Sequence, residues 1–187
     1  MKRFALLFLL LTTTLAFAQA PTRVRGTITA LEGDVLSVKS RDGSDVKVHL
    51  TSDVGVATAR NTTLAELKGK AVGVTAHNKD GRMVAVEVHA LPPTVPLSHG
   101  PWDLQPGSTM TNATLEGVAG DNEITVDHKD GKKTIAVPPG TPIVMFVPGT
   151  RADLKPGEFI FTTARNEGGK LVTQRISVSK DGVRPPQ

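Results

Sequence analysis

The chain has 187 residues, of which 39% are hydrophobic and 21% are charged, with a formal net charge of +4. This composition is typical of a globular protein and excludes a disordered or fibrous chain. The lack of cysteine excludes disulfides, a thiol nucleophile, thiolate metal centres and iron–sulfur clusters. Charges of both signs alternate along the sequence, which disfavours a basic patch for nucleic acid.

The N-terminus has the pattern of a secretory signal peptide. Lys2 and Arg3 precede an apolar run over residues 4–17, and small residues flank Phe17 at its end. We predict that residues 1–18 are a signal peptide cleaved after Ala18. The run is shorter than the ~20 residues of a membrane-spanning helix, which disfavours an anchor. We therefore expect a periplasmic mature chain with no membrane span after signal cleavage.

The remaining sequence repeats itself at an offset of about 88 residues. Residues 63–69 match residues 150–157 with one insertion, and residues 79–84 match residues 167–172 in the same order. Such ordered matches predict two copies of one small domain. The predicted organisation is repeat 1 at 23–91, a proline-rich linker at 92–109, repeat 2 at 110–180 and a C-terminal tail at 181–187.

Each repeat has the pattern of short strands. Apolar residues alternate, as at Val72, Val74 and Ala76, which is the period of a half-buried strand. Asp-Gly pairs such as Asp80-Gly81 lie between such runs and predict tight hairpins. The 18 glycines and 13 prolines likewise favour turns over long helices.

Two capping-box patterns predict the helical content. Thr63-x-x-Glu66 and Thr150-x-x-Asp153 each predict one short helical turn. We predict an all-β protein of two tandem small barrels, five- or six-stranded and OB-like or SH3-like, each with one helical turn. A two-sheet sandwich is the alternative. Because a unit of ~70 residues buries only about 60% of its unfolded surface, we expect the repeats to pack together or the protein to form a homo-oligomer.

Two parts of the sequence resemble known groups of secreted proteins. The patterns Arg25-Gly26-Thr27-Ile28-Thr29, Leu36-x-Val38-x-x-Arg41-Asp42-Gly43 and Leu64-x-x-Leu67-Lys68-x-Gly69 resemble a widespread secreted bacterial domain of unknown function. That resemblance implies small OB-like barrels, often in tandem, with no established activity. Residues 99–104 and 108–113 are similar to secreted proteins commonly labelled metal ABC transporter permease. This second resemblance implies an accessory role near a transporter, because the chain after cleavage has no run that could span a membrane.

The five histidines are candidate metal ligands. None of the five has a partner at i, i+2 or i, i+4, and none recurs at the repeat offset, which disfavours a site intrinsic to the repeat. His99 with Met110 would make a soft copper site at the linker. Placement of both at the surface without a ligand is the alternative.

Trp102 is the only tryptophan and lies in the proline-rich linker beside Asp103. Burial of its ring contributes a few kcal/mol, and its N–H needs a partner. The favoured interpretation is that Trp102 locks the linker onto a barrel. The alternative is that Trp102 and Asp103 face a ligand or a partner protein.

The sequence lacks the motifs of the common enzyme classes. It contains no G-x-S-x-G, H-E-x-x-H, Walker loop or dinucleotide fingerprint. Residues 19–101 contain no aromatic residue on which a base could stack, which disfavours nucleic acid. We predict a non-enzymatic binding or scaffolding protein of the cell envelope, with an envelope protein as partner and no cofactor. The alternatives are a periplasmic metal-handling accessory protein and a hydrolase with an unrecognised carboxylate site.

Overall fold

The computed structural model describes residues 20–120 and 122–186, so the predicted signal peptide 1–18 lies outside the described residues. Strands dominate these ranges, which confirms the all-β fold class with a small barrel. The strands are β1 (Thr22–Glu32), β2 (Val35–Ser40), β3 (Asp45–Asn61), β4 (Ala71–Lys79), β5 (Arg82–Ala90), β6 (Ser98–Pro101), β7 (Ser108–Ala119), β8 (Glu123–His128), β9 (Gly131–Ala136), β10 (Ile143–Pro148), β11 (Phe159–Glu167) and β12 (Lys170–Val178).

The local signals predicted from the sequence produce the expected turns. Helix α1 (Leu64–Leu67) begins where the Thr63 hydroxyl accepts a hydrogen bond from the Glu66 N–H at 3.2 Å. A 3-10 turn at Arg151–Asp153 has the second capping box. Asp80 and Gly81 have φ values of 53° and 80°, and this left-handed pair turns β4 into β5.

Five strands form a closed ring, the first barrel. β1 pairs with β2 and β11, β2 pairs with β3, and β12 closes the ring between β11 and β3. Its core contains apolar residues from every strand of the ring: Val24, Ile28, Leu36, Val38, Val48, Leu50, Leu154, Ile160, Ile176 and Val178. This barrel provides the rigid surface on which the candidate site is built.

Five other strands form a second ring. β4 lies between β5 and β7, β8 lies between β7 and β9, and a bridge between Val84 and Ala136 joins β5 to β9. Helix α1 packs into its core through Leu64 and Leu67. Between the rings, β10 pairs antiparallel with the end of β3 and parallel with β5. The rings are therefore hydrogen-bonded into one continuous sheet.

The strand pairings do not follow the predicted division into repeats. The first barrel takes β1, β2 and β3 from the segment 23–91 but β11 and β12 from the segment 110–180. The second ring takes β4 and β5 from the first segment and β7, β8 and β9 from the second. Each core therefore combines both segments, because two similar hairpins can fill equivalent places and the sequence pattern does not specify the partner.

The predicted linker 92–109 contains one strand and the loop of a paired hairpin. β6 pairs antiparallel with β7, from Ser98 opposite Asn112 to Pro101 opposite Thr109. Residues 102–107 form the hairpin loop, in which the Trp102 N–H donates to the Ser108 carbonyl at 2.8 Å. Within residues 20–120 and 122–186, no helix has the length and hydropathy of a transmembrane helix.

Candidate functional site

The loop of the β6–β7 hairpin reaches β1 of the first barrel through Trp102. The Cζ atom of Arg23 lies 4.0 Å from the centroid of the Trp102 ring, and that of Arg25 lies 5.6 Å from it. Arg25 also lies 5.0 Å from the ring centroid of Phe161 on β11. Guanidinium groups at these distances are attracted to aromatic faces. We call Trp102, Asp103 and Leu104 the latch, because they hold the hairpin against the first barrel.

Asp103 adds two ion pairs to the latch. Its Oδ1 accepts a hydrogen bond from Arg25 Nη2 at 2.8 Å, and its Oδ2 lies 3.3 Å from Arg23 Nη1. The Arg25 side chain is 8% exposed, whereas that of Asp103 is 48% exposed. The hydrogen bond from Arg25 and the positive charges of both arginines lower the pKa of Asp103, although partial burial opposes them. Asp103 is therefore an ionised counter-ion at neutral pH.

The alternation of β1 places both arginines on the same side. Val24 points into the core, so Arg23 and Arg25 point outward towards the hairpin loop. The turn after β2 brings a third arginine, since the Arg41 N–H donates to the Arg25 carbonyl at 3.1 Å. The Arg41 guanidinium donates to the Leu104 carbonyl at 3.3 Å.

These side chains line a cleft of about 370 Å³. Its lining defines what we call the arginine cleft: Arg23, Arg25, Ser40, Arg41, Asp42 and Asp103. The sequence predicts that Trp102 locks the linker onto a barrel, with a ligand- or partner-facing role for Trp102 and Asp103 as the alternative, and it predicts no site role for the three arginines or Phe161. The spacing Arg23-x-Arg25 on a strand is the signal that could have found two of them.

Two carboxylates, Asp42 and Asp103, line the arginine cleft, so their protonation can be compared with what a hydrolase would need. A carboxylate pair that cleaves glycosidic bonds needs one member with a raised pKa, so that it can donate a proton. The Ser44 hydroxyl and N–H lower the pKa of Asp42, and Arg25 chiefly lowers that of Asp103. Both carboxyls are therefore ionised at neutral pH and neither can serve as the proton donor.

The structure does not bring the predicted copper ligands together. His99 lies opposite Thr111, and its Nδ1 is 2.9 Å from the Thr111 hydroxyl. Met110 lies opposite Gly100, one position along the strand, and therefore on the other face of the sheet from His99. There the sulfur of Met110 accepts a weak hydrogen bond from Thr75 at 3.9 Å.

The neighbour of His99 is another histidine. The ring centroid of His99 lies 5.6 Å from that of His128 on β8. Partial burial, Lys133 and His128 lower the pKa of His99. In the described ranges, no group of three or more histidine, aspartate or glutamate side chains could hold a metal ion.

Comparison of the chain with protein family models, curated proteins and solved structures finds no match. The interpretation of the site therefore depends on the geometry and charge of the arginine cleft and the latch.

Replacing Asp103 by asparagine tests how much its charge contributes to the latch. We expect Asp103→Asn to lower the free energy of unfolding by about 1 kcal/mol at pH 7, because Arg23 and Arg25 lose their counter-ion. The pKa of Asp103 is lower in the folded state than its ordinary 3.8, so this stabilisation is complete above that pH. It disappears as the pH falls through the folded-state pKa, and the two proteins should then converge.

Urea denaturation at several pH values measures this difference. The control is Asp45→Asn, because Asp45 pairs with Lys39 at 3.1 Å but its side chain is 81% exposed. The control should change the free energy of unfolding by no more than a few tenths of a kcal/mol. Equal losses in both variants would contradict the role assigned to Asp103.

Proposed function

We propose that this protein is a secreted, non-enzymatic binding or scaffolding protein of the cell envelope, and that it engages an anionic partner through the arginine cleft. The observation that carries the proposal is that Arg23, Arg25 and Arg41 line one shallow, open depression. Guanidinium groups form forked hydrogen bonds with anionic oxygens, which makes arginine the usual residue for such recognition.

The protonation states in the arginine cleft support binding rather than catalysis. Arginine stays protonated in proteins, so none of the three guanidinium groups can accept a proton. Asp42 and Asp103 have lowered pKa values and stay ionised near neutral pH. General acid–base catalysis needs a group whose pKa lies near the working pH. The arginine cleft presents fixed charges instead, which suits recognition.

The secreted location is supported by the sequence of residues 1–18, whose basic start, apolar run and small residues before the cleavage site are typical of an exported protein. A scaffolding role is supported by a strand exchange, by which we mean that each ring takes strands from both the segment 23–91 and the segment 110–180. The arginine cleft combines β1 of the first barrel with the hairpin of the second ring, so a partner bound there contacts both parts of the molecule.

Site-specific photo-cross-linking in intact cells tests this proposal. Gln105 is exposed at the tip of the hairpin loop, next to the latch. A photoreactive residue at position 105 should yield a discrete cross-linked product with an envelope component. Adding Arg41→Ala should reduce the yield at least fivefold, because the cleft loses one of its three guanidinium groups.

Gln174 provides the matched control. It is the same residue type and is exposed on β12, outside the arginine cleft. A photoreactive residue at position 174 should yield no product of the same mass. The proposal would be wrong if position 105 gave no discrete product, or if both positions gave the same product with equal yield.

A further inference from the structure

We propose that the arginine cleft is a binding site for a phosphate group, and that Asp103 is an internal competitor for it. This inference rests on the proposed binding function and specifies its ligand. The phosphate could be a free ion or the headgroup of an anionic phospholipid, since both present the same oxygens.

Arg25 is held as a rigid and largely desolvated donor. Its side chain is 8% exposed, and its guanidinium lies near the rings of Trp102 and Phe161. Its Nε is buried and has no hydrogen-bond partner among the described residues. A buried donor without a partner is rare and marks a place where an acceptor would be favourable.

The charges in the arginine cleft favour an anionic ligand. Arg23, Arg25 and Arg41 line it together with Asp42 and Asp103, and Asp103 pairs with Arg23 and Arg25. The Asp42 carboxylate is held by Ser44, whose hydroxyl and N–H donate to Oδ1 at 2.7 and 2.9 Å. The five charged groups therefore retain a net positive charge.

The directions of the donors also favour phosphate. Arg23 and Arg25 approach from β1, whereas Arg41 approaches from the turn after β2. A carboxylate presents only two oxygens, and those of Asp103 take one arginine each, Arg25 at Oδ1 and Arg23 at Oδ2. A phosphate presents several oxygens in a tetrahedral arrangement, so it can accept from groups that approach from different sides. Phosphate would either displace the Asp103 carboxylate from the arginines or bind beside it.

Trp102 provides a built-in probe, because it is the only tryptophan in the chain and lies 4.0 Å from Arg23. We expect titration with inorganic phosphate at constant ionic strength to change its fluorescence in a saturable way. Arg41→Ala should weaken this binding at least tenfold. Asp103→Asn should strengthen it several-fold, because the variant removes the competing negative charge.

The control variant is Arg82→Ala, which removes an exposed arginine whose partner is Glu123 at 3.6 Å, outside the arginine cleft. It should bind phosphate as the wild type does. Equal weakening by Arg41→Ala and Arg82→Ala would overturn the proposal, because it would indicate a general effect of charge. Weaker binding in Asp103→Asn would overturn the role of Asp103 as competitor.

Co-sedimentation with vesicles separates the two sources of phosphate. If the ligand is a headgroup, phosphatidylglycerol vesicles should retain the wild type and lose Arg41→Ala, whereas phosphatidylcholine vesicles should retain neither. Saturable binding of inorganic phosphate without vesicle binding would assign the free ion. Absence of both would overturn the phosphate proposal. A cross-link at position 105 that persists in that case would leave the proposed binding function intact.

Discussion

Cysteines introduced together at positions 71 and 114 are expected to form an intramolecular disulfide in nearly all molecules after mild oxidation. Ala71 on β4 and Thr114 on β7 are partners across an antiparallel pair. Such partners have Cα atoms ~4.5–5.5 Å apart, which a disulfide can span. The chain has no other cysteine, so thiol titration and non-reducing mass spectrometry report this bond directly. Ala71→Cys/Thr114→Cys therefore tests the strand exchange.

The matched control pairs two positions that would be neighbours only if each segment, 23–91 or 110–180, closed its own barrel. Thr27 on β1 lies opposite Phe159 on β11. By the repeat offset, Phe159 corresponds to Ala71, so Ala71 would face Thr27 if each segment closed its own barrel. Thr27→Cys/Ala71→Cys should therefore remain reduced. A disulfide in the control and none in Ala71→Cys/Thr114→Cys would show that the strands are not exchanged.

Acidification from pH 6.5 to pH 4 is expected to lower the free energy of unfolding by about 3 kcal/mol through His89. His89 on β5 is only 6% exposed, and burial lowers its pKa from 6.5 to about 4. Its ring lies edge-on to Phe146 at 6.3 Å and so close to Gly73 that a Cβ there would lie 2.3 Å from Nε2. The folded state therefore has little room to hydrate a charged ring.

The free energy of unfolding falls on acidification because His89 takes up a proton at a higher pH in the unfolded chain than in the folded protein. The unfolded chain takes up a proton at His89 as the pH falls below 6.5, whereas the folded protein resists protonation until about pH 4. The stability contribution is therefore complete above pH 6.5 and is lost progressively between these values. Urea denaturation at intervals from pH 7.5 to pH 4 measures the loss.

Two variants show whether His89 is responsible. His89→Leu removes the largest of these titrating groups and should reduce the loss of stability in this window to the part contributed by His99, whose pKa is also lowered. Val86→Leu, at a half-buried position on β5, changes no titratable group and should keep the wild-type dependence. The assignment fails if His89→Leu loses as much stability as the wild type between pH 6.5 and pH 4.

The parts of the fold that could be predicted are those specified by neighbouring residues. The alternation at Val72, Val74 and Ala76 predicts a strand with one buried face, and all three are fully buried in the second ring. The Asp80-Gly81 turn and the helical turn after Thr63 also form as expected. These features depend on backbone conformation and hydrogen bonds within a few residues, so a short stretch of sequence contains the information.

The candidate site could be predicted only in part. Trp102 and Asp103 are identifiable from the sequence, because a lone tryptophan beside a carboxylate is conspicuous in a proline-rich segment. Their partners Arg23 and Arg25 are about 80 residues away, and no local pattern connects them. Ligand type alone pairs His99 with Met110, whereas the register of β6 against β7 separates the two side chains onto opposite faces.

The sequence by itself determined the strands with alternating apolar residues, the Asp-Gly turns and the two helical turns of this protein. Only the tertiary structure decided which hairpin completes which ring, since β4–β5 and β11–β12 are similar enough to occupy equivalent places. The tertiary structure also decided that the segment 92–109 forms part of a hairpin whose loop reaches the first barrel. Local conformational preferences act over a few residues, whereas the pairing of strands and the convergence of three arginines depend on contacts between distant parts of the chain.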